Sequence, residues 1–319
     1  MGVDIGGTNV KIVLVDPRQQ QLLESVYLKT LAHRGPERIV ADVASSVVEL
    51  KRQAEAEGGL QLAGLGVGCA GLIDLAEEAV LTSPNLPGWK NVRLGKMLKE
   101  KLHIPVLIEN DVNCICYGEY LLGAGRSLNT FLCVAPGTGV GGGLIIDGKI
   151  WQGQGFSAGE VGHMTIEPEG DRCLCGNLGC LETLASGSWL VERAKRHLRQ
   201  GVESSLSTVL ESSEGLSAEN IYQAAMNGDK LAQKLFEVVG RSLAIAIANV
   251  VHLLGIRNVL IAGGLAKGWD AFMGSLREEL QDRLTLIPAT EVQLVRARLG
   301  DNAGPLGAAY LVAERTGLI

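Results

Sequence analysis

The residues of this 319-residue sequence whose types and spacing can do chemistry are two aspartates and three glycine turns. Asp111 lies in the stretch ENDVN, where an apolar run from Pro105 to Ile108 gives way to helical spacing from Asp111 to Leu122. Strand-to-helix junctions of that kind point side chains into clefts. A carboxylate held there can act as general base toward a hydroxyl that attacks a phosphoryl group, although the same aspartate could serve as the cap of the helix. Asn110 beside it can donate to and accept from a substrate hydroxyl, or can simply form the turn.

Asp4 ends the first apolar run and is followed by Gly6, Gly7 and Thr8; a second turn, APGTGVGGG, carries Gly137, Thr138 and Gly139; a third follows an apolar run at Gly263 and Gly264. Glycine lets a backbone approach an anion closely, and turn amides with a threonine hydroxyl supply donors. The first two turns could clasp a triphosphate, Asp4 could hold a hydrated Mg²⁺, and the third turn could admit the adenine or ribose. No GxxxxGK[ST] occurs, and APGTGVGGG does not open a helix, so neither the P-loop nor the dinucleotide fingerprint applies.

Asn85 in SPNLPGW, Glu160 and His163 in SAGEVGH, and Glu182 are polar groups able to read a sugar, provided that they converge in space. Between the last two lies DRCLCGNLGCLE. Cys173 and Cys175 are one residue apart, a poor geometry for a mutual disulfide and not the CxxC redox spacing. With Cys180, glycines that let the chain wrap, and His163 upstream, they form a Cys₃His set suited to a closed, structural Zn²⁺ site.

The elements that must position these groups are legible in outline. Gly-Gly-Thr sits between the runs Val3 to Ile5 and Val10 to Asp16, a hairpin whose grammar recurs from Phe131 to Gly148, so two related lobes are expected. Helical spacing covers Pro36 to Glu57, a strand Gln61 to Gly68, and a long helix runs from an N-cap at Asp229 to a stop at Gly255. A strand covers Val259 to Ala262, and a last helix, Gly304 to Arg315, is apolar on one face and suited to pack back on the first lobe. The lobes are expected at 1–112 with about 303–319, and at 113–302. The one linker-like polar stretch is Ser204 to Ser217.

With 46% hydrophobic and 20% charged residues the chain is globular in composition, and its length suits two lobes. The 42 glycines are an excess that demands a local use. A net charge of −6 argues against a nonspecific nucleic-acid or membrane-surface binder and for a small-molecule partner. The apolar stretch Leu243 to Ile256 reads as too short to span a bilayer. Four of the seven cysteines (Cys69, Cys114, Cys116, Cys133) lie in apolar contexts, as expected of reduced thiols in a cytoplasmic protein.

The order strand-GGT, strand-GTG, strand-GG resembles the sugar kinase, heat-shock ATPase and actin superfamily, a two-lobed α/β ATPase fold. More specifically, DIGGTNVK, ENDVN, APGTGVGGG, GHMTI and CxCGNxGCLE, in that arrangement, resemble the ROK family of bacterial sugar kinases and repressors over nearly the whole chain. The resemblance implies Asp111 as catalytic base, sugar contacts from Asn85, Asn110, Glu160, His163 and Glu182, zinc on His163, Cys173, Cys175 and Cys180, and a homodimer. His163 then has two jobs, one ring nitrogen on the metal and the other toward the sugar. The chain departs from the family at GCAGLID, where many members carry a proline in place of Cys69, Ala70 or Gly71. Family repressors carry a helix-turn-helix ahead of the first hairpin, so the expectation is an enzyme: an ATP-dependent hexose kinase, glucose first, with N-acetylmannosamine, N-acetylglucosamine, fructose or allose as other acceptors, and a sugar sensor without transfer as the alternative.

Overall fold

The first hairpin forms as expected: β1 (Gly2–Ile5) pairs antiparallel with β2 (Asn9–Asp16), placing Asp4 opposite Lys11. These elements belong to a computed structural model that describes residues 1–212 and 215–319, so two positions of the polar stretch 204–217 lie outside the described residues. β3 (Gln21–Lys29) adds to the outer side of β2. α1 (Pro36–Gly58) begins with proline at its first turn and stops at Gly59, which is left-handed at φ 62°.

β4 (Leu65–Cys69) lies parallel to β1 and starts later than the Gln61 expected, because its outer neighbour first pairs with it at Leu65, opposite Val106. A small antiparallel sheet follows, made of β5 (Leu72–Asp74), β6 (Ala79–Thr82) and β7 (Lys90–Val92), and then α2 (Leu94–Leu102). β8 (Val106–Asn110) closes the main sheet in the order β3-β2-β1-β4-β8 and runs without a gap into α3 (Asp111–Leu122). Val3, Ile5, Val67 and Ile108 of this sheet pack with Val43, Val47, Leu94 and Leu98 of the helices, all buried.

Two units divide the chain, the first comprising Met1–Asn129, Gly143–Ala158 and Arg298–Ile319, the second Thr130–Gly142 and Gly159–Ala297. β9 (Phe131–Pro136) and β10 (Val140–Ile146) form the second hairpin, and the far end of β10 pairs with β11 (Lys149–Ile150). The second unit continues with α4 (Leu181–Ala185), α5 (Gly187–Arg199), α6 (Leu206–Leu210), α7 (Ala218–Met226) and α8 (Lys230–Leu254). β12 (Asn258–Ile261) follows, parallel to β9, then α9 (Trp269–Arg283) and β13 (Gln293–Arg296), which is parallel to β12.

Asp229 caps α8 by accepting from the Ala232 N–H at 3.0 Å, and Gly255 ends it at φ 70°, both as expected. At 25 residues α8 is long and apolar enough to cross a membrane by length and composition, which corrects the short-span reading of Leu243 to Ile256. Its apolar residues, from Leu231 and Phe236 to Val251, are instead the buried core of the second unit, packed on α9, α4 and α7.

α10 (Ala303–Arg315) was expected to be apolar on one face, but every residue from Ala303 to Tyr310 is buried. The reason is that it lies against β1, β4 and α3 at once, with glycines at the contacts. A Cβ on Gly2 would collide with the Pro305 carbonyl, one on Gly66 with that of Ala308, and one on Gly118 with that of Ala303. A carboxylate holds the approach to α10 in place: Glu119, wholly buried in α3, accepts from the backbone N–H groups of Ala124 (2.8 Å), Arg298 (3.0 Å) and Leu299 (2.7 Å). Glu119→Ala leaves these donors without their acceptor and is expected to cost about 3 kcal/mol, lowering Tm by roughly 6–12 °C in scanning calorimetry. A Tm within 1 °C of the parent would remove Glu119 from the packing of α10.

Candidate active site

The first unit gathers the carboxylates and the first turn. Asn110, rather than Asp111, is the cap of α3: its Oδ1 accepts from Val112 N–H at 2.9 Å and Asn113 N–H at 3.1 Å, and its Nδ2 donates to the Gly71 carbonyl at 3.1 Å. The cap is therefore not the work of Asp111, which stands as the first helical residue and is partly exposed. Asn110 keeps one N–H for a ligand.

Asp4 stands close enough to Asp111 and Asp301 for their charges to raise its pKa, while Lys11, opposite it on β2, opposes them; burial is the largest cause, and the carboxyl is pushed up to about 7. Gly304 also approaches it: a Cβ there would stand 2.8 Å from Asp4 Oδ2, so the N-terminus of α10 lies at the carboxylate. Three carboxylates gathered at one place, with a helix N-terminus beside them, fit a hydrated cation and an anionic ligand. In the GGT turn, Thr30 fixes the carbonyls, its Oγ1 donating to Gly6 O at 2.7 Å and its N–H to Thr8 O at 3.0 Å, while Thr8 itself is exposed. Asn85 is exposed beside the turn, since a Cβ on Gly7 would meet its carbonyl at 2.7 Å.

The second unit gathers the second and third turns with Glu160, His163 and Glu182. Gly137 approaches the Gly264 amide, at 3.8 Å from an added Cβ, so the GTG and GG turns are neighbours; Thr138 is exposed at the tip. Gly263 is left-handed at φ 76° and lies against the Pro136 carbonyl, a place for glycine alone. Gly264 has open space where a side chain would be. Glu182, in the first turn of α4, packs on Gly139 and accepts from Val140 N–H at 2.9 Å, which ties it to the second turn. Glu160 and His163 flank a single turn of 3₁₀-helix, with Glu160 Oε2 at 3.9 Å from His163 Nε2. Burial raises the Glu160 pKa, partly offset by His163.

The other face of the imidazole meets the cysteines: Nδ1 lies 3.8 Å from Cys173 Sγ, and Cys175 Sγ lies 3.7 Å from Cys180 Sγ. All four candidate ligand atoms lie within 4.8 Å of one another. Zn–S bonds of about 2.3 Å in a tetrahedron set S–S edges of about 3.8 Å, so the residues fit the ion. The cluster is compatible with a structural zinc, and the imidazole turns Nδ1 to Cys173 and Nε2 to Glu160.

Sequence reasoning passed over Lys11, Thr30 and Asp301. Lys11 is buried and its ammonium lies 4.4 Å from the centre of the Tyr27 ring, and in the sequence it reads as a single charge within the apolar run Val10 to Val15. Thr30 lies after β3, with no motif to mark it, and Asp301 is distant from Asp4 along the chain.

The family model of the ROK family matches residues 1–315. A glucokinase of Thermotoga maritima is 33% identical over 321 residues, which covers 99% of this chain and 98% of the relative. A xylose repressor of Caldicellulosiruptor bescii is 29% identical over 312 residues, 98% of this chain and 77% of the repressor. Among solved structures, the ROK family glucokinase from Streptomyces griseus in complex with glucose and AMPPNP superposes with a TM-score of 0.83 at 31% identity over 97% of both chains. The chain thus has the two-lobed actin-like ATPase fold.

The Asp4 carboxyl generates a stability prediction. Its folded pKa of about 7 lies above the ordinary 3.8, so ionisation is easier in the unfolded chain. The folded state is penalised increasingly as pH rises from about 4 to 7, and constantly above. In magnesium-free buffer Asp4→Asn is expected to be more stable than the parent by a few kcal/mol at pH 8, with the gap closing toward pH 4. Urea unfolding at both pH values checks this, and a gap that is equal at the two contradicts it.

Proposed function

The chain belongs to the ROK family, and from that premise we propose that it is an ATP-dependent hexose kinase that transfers the γ-phosphoryl group to the 6-hydroxyl of a sugar, glucose first. The observation that carries the reading is the junction of β8 and α3, where Asn110 takes the capping role and Asp111 stands at the head of the helix beside Asp4 and within the unit that holds the GGT turn. A sugar kinase is also what the glucokinase relatives and the complex of one with glucose and an ATP analogue support.

In this reading Asp111 accepts the proton of the 6-hydroxyl as its oxygen bonds to the γ-phosphorus, and the bond from that phosphorus to the β-γ bridging oxygen breaks to release ADP. The amides of the two phosphate turns hold the oxygens that gain charge. Asp4 would hold Mg²⁺, which would neutralise phosphate charge when bound. Asn85, Asn110, Glu160, His163 and Glu182 read the sugar hydroxyls, and Gly263 and Gly264 border the nucleoside. His163, Cys173, Cys175 and Cys180 would hold zinc, which would supply a fixed tautomer to the imidazole and leave Nε2 free to read the sugar. We place the enzyme in the cytoplasm, as a homodimer.

A second reading is a sugar-responsive regulator, favoured by the xylose repressor relatives. ADP release measured on a panel of hexoses and N-acetylhexosamines separates the two, since no sugar-dependent release across the panel defeats the kinase. Asp111→Asn is expected to reduce kcat by about 10²–10⁴ with sugar affinity largely kept; near-parental kcat would take Asp111 out of the mechanism.

Elemental analysis is expected to find one zinc per chain, lost in Cys180→Ser. That variant should raise the KM for sugar by roughly tenfold or more while the KM for ATP moves little. Unchanged sugar KM in zinc-free protein would show that the metal does not hold His163.

A further inference from the structure

The geometry points to Glu109 and Gln152 as a latch that positions Asp111 for transfer, a role that rests on the kinase reading above. Glu109 is the penultimate residue of β8 and is buried, two positions before Asp111. Its carboxylate makes three hydrogen bonds. Oε1 accepts from the Asn110 N–H at 2.9 Å and from Asn113 Nδ2 at 3.0 Å, so a single oxygen grips both the last residue of the strand and the first turn of α3. Oε2 accepts from Gln152 Nε2 at 2.6 Å.

Asp111 sits inside the segment thus gripped. β8 is the edge strand of its sheet, with β4 on one side only, so the backbone ladder restrains this junction less than it would an interior strand. Gln152 supplies the missing side. It belongs to the segment Gly143–Ala158 of the same unit and lies between Ile150 of β11 and Gly153, which is left-handed at φ 66°. A few residues further along the chain come Glu160 and His163. The bond therefore ties the base-bearing junction to the run of chain that leads to two sugar-reading groups.

The charge of Glu109 is costly in this place. Burial raises its pKa against the pull of Asn113, Asn110 and Gln152, the three donors that it accepts from. An apolar residue would fill the site without that cost. A carboxylate here makes sense where two acceptor oxygens must each be bonded in fixed directions. Both side chains line a cavity of roughly 430 Å³, so isosteric exchanges need no repacking of neighbours.

The test is an exchange of donor and acceptor. Gln152→Glu, assayed at alkaline pH so that the pair does not share a proton, sets two carboxylates face to face and breaks the latch. Glu109→Gln combined with Gln152→Glu restores it in reverse, because Gln at 109 can still accept from Asn110 and Asn113 through its oxygen while its amide donates to the carboxylate at 152. With the best sugar of the panel, Gln152→Glu is expected to lose about tenfold or more in kcat, with both KM values within about twofold of the parent. The double variant is expected to recover to within about threefold. Parental kcat in Gln152→Glu overturns the latch, as does a double variant with parental Tm that stays as slow as the single one. Amide hydrogen exchange of residues 110–114 gives a readout that does not depend on turnover. It should accelerate in Gln152→Glu and recover in the double variant, and unchanged exchange in Gln152→Glu overturns the latch. Absence of sugar-dependent ADP release in the parent would defeat the kinase reading alone, leaving the latch to be decided by exchange.

Discussion

The packing of α10 on the first sheet is the constraint on which the arrangement of the carboxylates depends. Helices usually rest on a sheet through side chains, but α10 comes so close to β1 and β4 that a methyl group on Gly2 or Gly66 would overlap its carbonyls. It meets α3 in the same way, Gly118 against Ala303 and Gly307 against Cys114, which makes the two helices antiparallel neighbours. This closeness brings the start of α10 to Asp4, through Gly304. The amides at the start of a helix favour an anion, so the same contact that orders the core also steadies the charge that the site requires.

That arrangement trades stability for chemistry. Asp4 and Asp111 repel each other, burial adds to the cost, and Lys11 offsets only part of it. Proteins keep such pairs where the charges are used, and a pair of this kind suits a chemistry in which a cation and a polyphosphate arrive together. Glu119 shows the contrast within one helix. It is also a buried carboxylate, but three backbone amides satisfy it, and its role is architectural.

Local rules made part of this structure legible in the sequence. Asp229 and Gly255 mark the ends of α8 because capping is decided within a few residues, and the span of α3 follows from helical spacing after a short apolar strand. The sequence offered Asp111 as the cap of α3 and Asn110 as a turn residue, and the backbone, extended at Asn110 with φ −63° and ψ 144°, gives the capping place to Asn110 instead. Contacts remote in sequence left no trace. Nothing around Glu119 announces that residues 298 and 299 will need an acceptor, and nothing in Gln152 announces Glu109. The return of Gly143–Ala158 to the first unit is likewise a matter of packing rather than composition. The all-round burial of α10 escaped notice because alanine and glycine read as neutral on a helical wheel, although they are what close approach requires.

The loop of three cysteines shows the opposite case, in which spacing and chemistry were enough to bring its thiols together with His163. Three cysteines and a histidine can satisfy one tetrahedral ion only if the chain wraps, and left-handed Gly176 (φ 96°) and Gly179 (φ 61°) provide the wrap. What spacing could not reveal is how much the loop organises around itself. His163 turns Nδ1 to Cys173 and Nε2 to Glu160, while Glu182, two residues beyond Cys180, reaches the amide of Val140 at the end of the second glycine turn. A cation held by the loop would fix the imidazole on one side and the start of α4 on the other, so that His163 and Glu182 are held by the same short segment that touches the second glycine turn. Under the kinase reading, loss of the ion would then loosen sugar recognition first, because His163 loses the partner of its Nδ1 while the glycine turn keeps its own backbone bond, Gly137 N–H to Gly139 O at 2.8 Å.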